Sequence, residues 1–378
     1  MGGTGEAGGG RIVTRLKRPR AFSGPRRAIV MGVAGLLVLM LAAGGAAAAR
    51  GPAHAAAARA GTHGGQSAVL TDVWFMDAEH GWIAGQAGYV LSTSDGGATW
   101  TKTTMKGRVN LTSVSFADTE HGFASGNWWT SEDIGKAGPL LFSTSDGGAT
   151  WKKSRVLAGV NGEMDHVVAI DADTACAVGC TSEMEHYGVV VRTTSGGSSW
   201  LTQLKQSGNK TTVLTGVDFF DADTGWASGY GAHSGHGVVL ATTDGGATWR
   251  KQMTPQSAWL TKICFADAQH GWACADKSVL RTTDGGATWA KVAVVRGRDK
   301  DIEDVYFVDV QHGWAVGASG TIWASTDGGA TWTAQTSGVK SVLLAVAFVS
   351  AEQGWVVGED NVVLKTADGG ATWVGSRP

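Results

Sequence analysis

Four carboxylates could do chemistry if the fold brought them together: Asp72, Asp218, Glu303 and Asp304. Two carboxyl groups that flank a glycosidic bond can protonate the leaving oxygen and attack the sugar or activate water. All four lie in short alternating stretches typical of β-strands, so inner strands around an axis would have to position them. We favour a simpler interpretation, in which they line a polar tunnel, because a fold does not by itself imply an activity.

Histidines offer a second possible chemistry, metal binding. Four of them precede a glycine at one repeated position: His80, His121, His270 and His312. Such recurrence is typical of a structural turn. A second group combines histidines with acidic residues: Glu183, Glu185, His186, His233 and His236. Their spacings match no tight ligand pattern, and we predict neither a metal site nor a cofactor.

The elements that position these residues follow from an internal repeat. Asp-Gly-Gly-Ala-Thr-Trp occurs six times, and Ser-Gly-Gly-Ser-Ser-Trp fills the one gap. The seven copies end at Trp100, Trp151, Trp200, Trp249, Trp289, Trp332 and Trp373. The intervals range from 40 to 51 residues, the length of one four-stranded propeller blade. We therefore predict an all-β fold, a seven-bladed β-propeller of four-stranded antiparallel blades, over residues 67–378.

Each repeat divides into four strands, A to D. In the first repeat we expect strand A over Thr71–Asp77, B over Trp82–Gly85, C over Tyr89–Thr93, and D from Trp100. Alternating apolar and β-branched residues favour these strands. No strand-like segment precedes residue 67, so the ring is predicted to close without a strand exchanged from the N-terminus.

The Gly-Gly pair in each copy predicts the turn between strands C and D, because glycine tolerates positive φ. The residue before this pair can accept backbone N–H bonds inside the turn. The seven residues at this structural position are Asp95, Asp146, Ser195, Asp244, Asp284, Asp327 and Asp368. A serine hydroxyl does this more weakly than a carboxylate, so we expect blade 3 to be locally less stable.

The repeated pattern [Ser/Thr]-x-[Asp/Ser]-Gly-Gly-[Ala/Ser]-[Thr/Ser]-Trp resembles the Asp-box (BNR) repeat of sialidase-like propellers. With His-Gly-Trp-Ala ahead of it, as at His270–Ala273 before Thr283–Trp289, it is more similar to the photosystem II stability and assembly factor family. The resemblance covers about residues 67–378. It implies a non-enzymatic, extracytoplasmic propeller that holds a membrane-protein assembly intermediate.

Sialidase chemistry requires three arginines around a carboxylate, a tyrosine nucleophile and acidic partners near the axis. None of the seven predicted strand-A cores contains arginine, and the chain has four tyrosines. Bidentate arginines are the groups that suit a carboxylate ligand. We therefore predict that the protein is not an enzyme, with a sialidase-like or other glycoside hydrolase, or a carbohydrate-binding propeller, as the alternative.

Two tryptophans fall outside the repeat pattern. Trp128 and Trp129 lie in a long predicted B–C connection, residues 127–139, and repeats 3 and 4 also lengthen this connection, over 180–188 and 230–237. B–C and D–A loops share one face, and loops on a rigid scaffold commonly carry binding. The candidate binding rim comprises Trp128, Trp129, Glu132, Tyr187, Tyr230 and His233. The alternative is that the tryptophans cap blade edges.

Four cysteines suit an oxidising compartment. Cys264 and Cys274 would face each other if the A–B hairpin of their repeat centred on residue 269. Directly paired strand residues lie within disulfide range, so this pair is a disulfide candidate.

The first 66 residues indicate export. Residues 1–27 are basic, 28–49 form an uncharged apolar run, and 50–66 form a linker. A basic flank before such a run is retained on the cytoplasmic side, so we expect an exported, extracytoplasmic body. The run fits a cleaved signal peptide, or an anchor, since it reaches the roughly 20 residues that span a bilayer.

Charge narrows the choice of partners. Residues 1–66 hold nine basic residues and one acidic residue, which leaves 22 basic and 32 acidic residues, a net charge of −10, on the remainder. An acidic body repels phosphate backbones, so nucleic acid is excluded as a partner. We expect a monomer that binds a membrane or envelope protein, with a glycan as a further possible ligand.

Overall fold

The computed structural model describes residues 68–129, 137–154, 162–181, 187–205, 212–231, 234–252, 259–275, 277–294 and 301–376. These residues form seven four-stranded antiparallel sheets, each built from four consecutive strands. The predicted seven-bladed propeller is therefore confirmed. The predicted segments 1–27, 28–49 and 50–66 lie outside the described residues.

The two inner strands of every blade carry most of the core. Strands A are β1 (Leu70–Phe75), β5 (Asn110–Phe116), β9 (Gly162–Ala169), β13 (Thr212–Phe219), β17 (Leu260–Phe265), β21 (Ile302–Phe307) and β25 (Leu343–Phe348). Strands B are β2 (Gly81–Gly85), β6 (His121–Trp129), β10 (Ala175–Thr181), β14 (Gly225–Gly231), β18 (Gly271–Ala275), β22 (Gly313–Gly317) and β26 (Gly354–Gly358).

Strands C are mostly buried, whereas strands D are short and mostly exposed. Strands C are β3 (Tyr89–Thr93), β7 (Ala137–Ser145), β11 (Gly188–Thr193), β15 (Gly237–Thr242), β19 (Ser278–Thr282), β23 (Thr321–Ser325) and β27 (Val363–Thr366). Strands D are β4 (Thr101–Thr104), β8 (Lys152–Lys153), β12 (Leu201–Lys205), β16 (Arg250–Lys251), β20 (Ala290–Val294), β24 (Thr333–Thr336) and β28 (Val374–Gly375). Single 3₁₀ turns lie at Gln86–Gly88, Ala318–Gly320 and Glu359–Asn361.

The blades close into a ring. Each strand A packs against strand A of the next blade, and β25 of blade 7 packs against β1 of blade 1. At this seam the indole N–H of Trp355 donates to the carbonyl of Gly96 at 3.0 Å. Within the described residues the closure uses no exchanged strand, as the sequence predicted.

The Gly-Trp motif at the start of strand B is explained by the packing of strand A. The ring of Phe265 covers Gly271, and a Cβ on Gly271 would lie 2.5 Å from that ring. Strand pairs with this glycine all carry phenylalanine opposite it. In blade 3 both members change together, since Ala169 pairs with Ala175. The glycine is thus a consequence of the aromatic ring that lies over it.

The tryptophan that follows this glycine joins one blade to the next. Trp272 stacks on Phe307 of the following blade, with ring centroids 3.6 Å apart and planes 4° apart. Its indole N–H donates to the carbonyl of Gly328 at 2.9 Å. The box residue Trp332 meets the same Phe307 edge-on at 5.8 Å. Five interfaces share this stack, so aromatic contacts recur between neighbouring sheets.

No helix long and apolar enough to cross a bilayer is found in the part of the chain that the structure describes.

Candidate functional site

The axial carboxylates hold the inner strands together. The side chains of Asp72, Asp218 and Asp304 are buried. One oxygen of each accepts a backbone N–H from strand A of the next blade: Val114 at 2.6 Å, Phe265 at 2.8 Å and Val346 at 3.0 Å. A carboxylate bound in this way fixes the spacing between blades. The tunnel-lining interpretation is thereby refined, because these groups connect the blades rather than face open solvent.

His166 makes the equivalent contact between blades 3 and 4. Its Nδ1 accepts the N–H of Val217 at 3.2 Å, so Nε2 carries the ring proton. Burial lowers the pKa of this imidazole well below its usual value. The histidine is therefore neutral and structural.

Lys262 is the axial residue that sequence reasoning missed. It occupies the strand-A position that holds Asp72 in blade 1 and Asp304 in blade 6, and its side chain is 1% exposed. Burial lowers the pKa of Lys262 to about 8, although the negative charges of Asp304 and Asp72 act to raise this pKa. A lysine in the otherwise apolar stretch Leu260–Phe265 was the available signal.

Several buried polar atoms at the axis have no hydrogen-bond partner among the described residues. They are Asp72 Oδ1, Asp304 Oδ1, Lys262 Nζ, His166 Nε2 and Trp74 Nε1. Burial raises the pKa of Asp304 to about 7 and raises the pKa of Asp72 well above its ordinary value, while the charge of Lys262 opposes both shifts. Burying polar groups without a partner is costly. Glu303 is less deeply placed, and burial raises its pKa to about 7.

The histidines that precede glycine are turn residues, as predicted. His270 donates its backbone N–H to Asp267 at 2.7 Å, and its Nδ1 lies 2.9 Å from the same carboxylate. The same pairing occurs at His80, His121 and His312. No cluster of three or more potential metal ligands occurs within the described ranges.

The box aspartates make the predicted turn contacts. Asp146 accepts the backbone N–H of Thr150 at 2.8 Å and the Thr144 hydroxyl at 2.7 Å. Hydrogen bonds from the threonine four residues later lower the pKa of the six aspartates to about 2. In blade 3, Ser195 keeps the N–H contact with Ser199, but at 3.2 Å.

Trp128 and Trp129 lie in a strand rather than in a loop. Strands β6 and β7 stay paired as far as Trp129 and Ala137, so the connection predicted over residues 127–139 was drawn too long. Aromatic residues favour the paired strand, and Gly138 opposite Trp128 leaves room for the indole ring. Glu132 lies outside the described residues.

The described rim residues of blades 3 and 4 are Tyr187 and Tyr230. Tyr230 belongs to β14 and stacks on Trp259, with ring centroids 4.6 Å apart. Tyr187 donates its backbone N–H to the Thr181 hydroxyl at 3.2 Å. Glu163 at the start of β9 has a pKa raised to about 7 by burial. His233 lies outside the described residues.

A groove opens between blades 1 and 2, and Trp128 is part of its wall. Its volume is about 630 Å³. The residues that line it are Thr103–Val109, Trp128, Leu140, Phe142, Ala149–Trp151 and Lys153. Trp128 is thus the rim candidate that the structure places in an open site, whereas Tyr187 and Tyr230 are not among the lining residues. The sequence signal for the other wall was Lys106-Gly107-Arg108, in the D–A connection that leads to blade 2.

The disulfide prediction rested on a register that is wrong. Cys264 pairs with Trp272, and Cys274 pairs with Lys262. Phe265 pairs with Gly271, so the hairpin centres on residue 268 rather than 269. The irregularity between Leu260 and Lys262 lies beyond both cysteines. Both residues are buried free cysteines, as are Cys176 and Cys180.

Comparisons with solved structures agree with this architecture. YCF48 bound to D1 peptide matches with 21% identity and a TM-score of 0.62, over 80% of this chain and 92% of that one. YCF48 from Cyanidioschyzon merolae matches with 24% identity and a TM-score of 0.61, over 80% of this chain and 96% of that one.

A GH74 xyloglucanase from Xanthomonas campestris shares the fold at 11% identity and a TM-score of 0.62, over 83% of this chain and 54% of the enzyme. At such identities these likenesses show the fold alone. No curated protein matches this chain.

The sequence model for the photosynthesis system II assembly factor YCF48 family matches residues 63–215 and 293–376, which is more than half of the chain. The protein therefore belongs to this family of propellers.

Proposed function

We propose that this protein is a non-catalytic scaffold that captures a protein partner through the rim at blades 1 and 2. The observation that carries the proposal is the contrast between the two candidate sites. The axial carboxylates Asp72, Asp218 and Asp304 are buried and accept backbone N–H groups, whereas the groove beside Trp128 is open. A related YCF48 structure is bound to a D1 peptide, which supports a peptide segment of a protein as the ligand.

Capture of a partner tests the proposal. The purified protein, carrying a photo-crosslinker at Thr104 on the groove wall, is incubated with membranes of its own host, and the products are identified by mass spectrometry. Truncating a buried aromatic anchor at an interface typically costs 2 kcal/mol or more, so we expect Trp128→Ala to reduce capture about tenfold or more.

The matched control is Trp323→Ala. Trp323 is also a partly buried tryptophan, and it lies in β23, strand C of blade 6. It is not among the residues that line the groove. Capture should survive this change. Equal capture by wild type and Trp128→Ala, with both folded, would contradict the rim. Hydrolysis of a xyloglucan or a sialoside by the wild type, if the substitution Asp304→Asn abolished it, would contradict the non-catalytic assignment.

We further propose that the propeller works outside the cytoplasm, beside a membrane or envelope protein. The basic residues 1–27 before the apolar run 28–49 support export. Cell fractionation with a carboxy-terminal tag should place the propeller in the envelope or medium. N-terminal sequencing distinguishes a cleaved signal from a retained anchor. Cleavage after Ala53-His54-Ala55 gives a start at residue 56, and cleavage after Ala58-Arg59-Ala60 gives a start at residue 61. A cytosolic pool of uncleaved protein would contradict export.

A further inference from the structure

The groove beside Trp128 lies between strand C of blade 2, β7, and the D–A connection that leaves blade 1. β7 pairs with β8 at Phe142 and Ser143, so Gly138–Leu140 has no strand-D neighbour among the described residues. In blade 1, by contrast, β3 pairs with β4 over four residue pairs. The groove runs beside this part of β7, whose Leu140 and Phe142 line it, and extended segments commonly bind along strands of this kind.

The floor of this space is apolar. Gly138 lies directly opposite Trp128 on the neighbouring strand, and a Cβ on Gly138 would lie 1.7 Å from Trp128 Nε1. The indole ring therefore rests on bare backbone, packs in part against the core and lines the groove with its remaining surface half-buried. Met105 and Val109 close the opposite wall. Such a surface holds an aliphatic or aromatic side chain.

The edges of the groove are positively charged. Lys106, Arg108 and Lys153 are exposed and line the groove, and no carboxylate is among its lining residues. Within the described part of the chain none of the three cations forms an ion pair. The remainder of the protein after residue 66 is net acidic. The groove is therefore a local cationic site on a protein whose net charge repels an acidic partner. Charge complementarity of this kind selects partners and speeds their encounter.

The shape indicates an extended occupant. The groove runs from the D–A connection at Met105–Val109 to the box residues Ala149–Trp151, which lie at opposite ends of the blades. Its volume of about 630 Å³ lies in the range of ordinary ligand pockets, roughly 300–1,000 Å³. A segment in β conformation advances about 3.3 Å per residue, so a few residues follow the groove from end to end.

We propose that the groove between blades 1 and 2 binds an extended acidic segment of a partner protein, with one apolar side chain on Trp128 and carboxylates at Lys106, Arg108 and Lys153. This inference rests on the proposed function and adds the chemistry of the segment.

Fluorescence anisotropy with the full chain tests it. The probe is a fluorescein-labelled octapeptide in which Glu alternates with Leu and Phe; one control peptide replaces Glu by Lys, and another replaces Leu and Phe by Ser. We expect the acidic apolar peptide to bind at least tenfold more tightly than either control. Binding should weaken as the salt concentration rises, because exposed charges are screened.

Charge reversals at two equivalent lysines, one in the groove and one in another blade, provide a matched pair of variants. Lys153 of β8 pairs with Phe142, and Lys251 of β16 occupies the same place in blade 4, opposite Leu240. Lys153→Glu should weaken binding about tenfold and Lys251→Glu less than twofold, while Trp128→Ala should weaken binding at least tenfold in a protein that still unfolds cooperatively. Equal effects of the two reversals, or equal binding of the lysine peptide, would overturn the acidic-segment proposal. If capture of the native partner still depends on Trp128 in that case, the scaffold function stands without it.

Discussion

At the scale of single residues, the box position of blade 3 provides a natural comparison with the other six. An aspartate there accepts bonds from two threonines, and these bonds keep its pKa near 2. Ser195 offers one hydroxyl and a contact of 3.2 Å to the Ser199 N–H. The loss of a charged acceptor explains why we expect blade 3 to be the least stable sheet at its C–D turn.

Ser195→Asp should therefore stabilise the protein, and Asp146→Ser should destabilise it. The turns are exposed, so each change is expected to be worth at most about 1 kcal/mol, or about 2 °C in melting temperature. The folded pKa of these aspartates is depressed below the ordinary 3.8, so their contribution is present above pH 4 and is lost as the pH falls towards 2. Melting curves at pH 7 and pH 2 check this; a gain that persists at pH 2 would contradict the mechanism.

At the scale of elements, the sequence predicted strands and turns well, because the same residue pattern recurs in every repeat. Strand C of blade 1 matches its prediction, Tyr89–Thr93, and strands A and D differ from theirs by a few terminal residues. Register was harder to predict. The shift between Leu260 and Lys262 recurs at the equivalent position in most A–B hairpins, and no residue type marks it. The position of the A–B turn, centred on residue 268, places Cys274 opposite Lys262 rather than Cys264.

The candidate binding rim, too, could be predicted from the sequence only in part. Trp128 was identified because it departs from the repeat, and the structure places it in an open groove. The opposite wall, Met105–Val109, belongs to the neighbouring repeat, and nothing within one repeat indicates which residues of the next will face it. Proximity between repeats depends on how blades pack, which a linear period does not encode.

Two substitutions at a strand-B tryptophan separate the contribution of ring stacking to stability from that of hydrogen bonding. Trp272→Phe keeps a ring on Phe307 but removes the bond from Nε1 to Gly328. We expect this change to lower the free energy of unfolding by about 1 kcal/mol, and Trp272→Ala by about 3–5 kcal/mol. Urea unfolding monitored by circular dichroism measures both. Phe123, which stands in the same strand position of blade 2, shows that a phenylalanine is tolerated there. Equal losses for the two variants would assign the whole contribution to the indole N–H.

At the scale of the whole molecule, the seven blades share one axis, and the polar groups there come from different blades. Asp72, His166, Lys262 and Asp304 belong to blades 1, 3, 5 and 6 and are all buried. Three of them accept a neighbouring backbone N–H, which Lys262 cannot do, because an ammonium group has no acceptor. Blade 5 therefore contributes a charge to the axis in place of an interblade hydrogen bond.

This arrangement predicts an unusual pH dependence. The folded pKa of Asp304 is raised to about 7, so its stabilising contribution is complete below pH 4 and is lost as the pH rises towards 7. The folded pKa of Lys262 is lowered to about 8, so its contribution is complete above pH 10.5 and is lost as the pH falls towards 8. The axis should therefore stabilise the ring least between pH 7 and pH 8.

A double variant isolates this effect. Lys262→Met with Asp304→Asn removes these two titrating groups, and the asparagine oxygen can still accept the N–H of Val346. Asp72 remains as a buried acid, and burial raises its pKa, which favours its neutral form. Replacing buried charges by uncharged groups of similar volume is commonly neutral or stabilising by about 1–3 kcal/mol. We expect the double variant to exceed the wild type in unfolding free energy at pH 7.5, with a smaller difference at pH 5 and at pH 10.

The single variant Lys262→Met is the control. It leaves Asp72 and Asp304 buried without their cation, so it should cost about 3 kcal/mol at pH 8 and less at pH 5, where Asp304 is protonated in the folded protein. Chemical unfolding at four pH values measures all three proteins. A double variant that is less stable than the wild type at every pH would show that Lys262 and Asp304 bind one another favourably, and that the axial charges stabilise the ring instead of straining it.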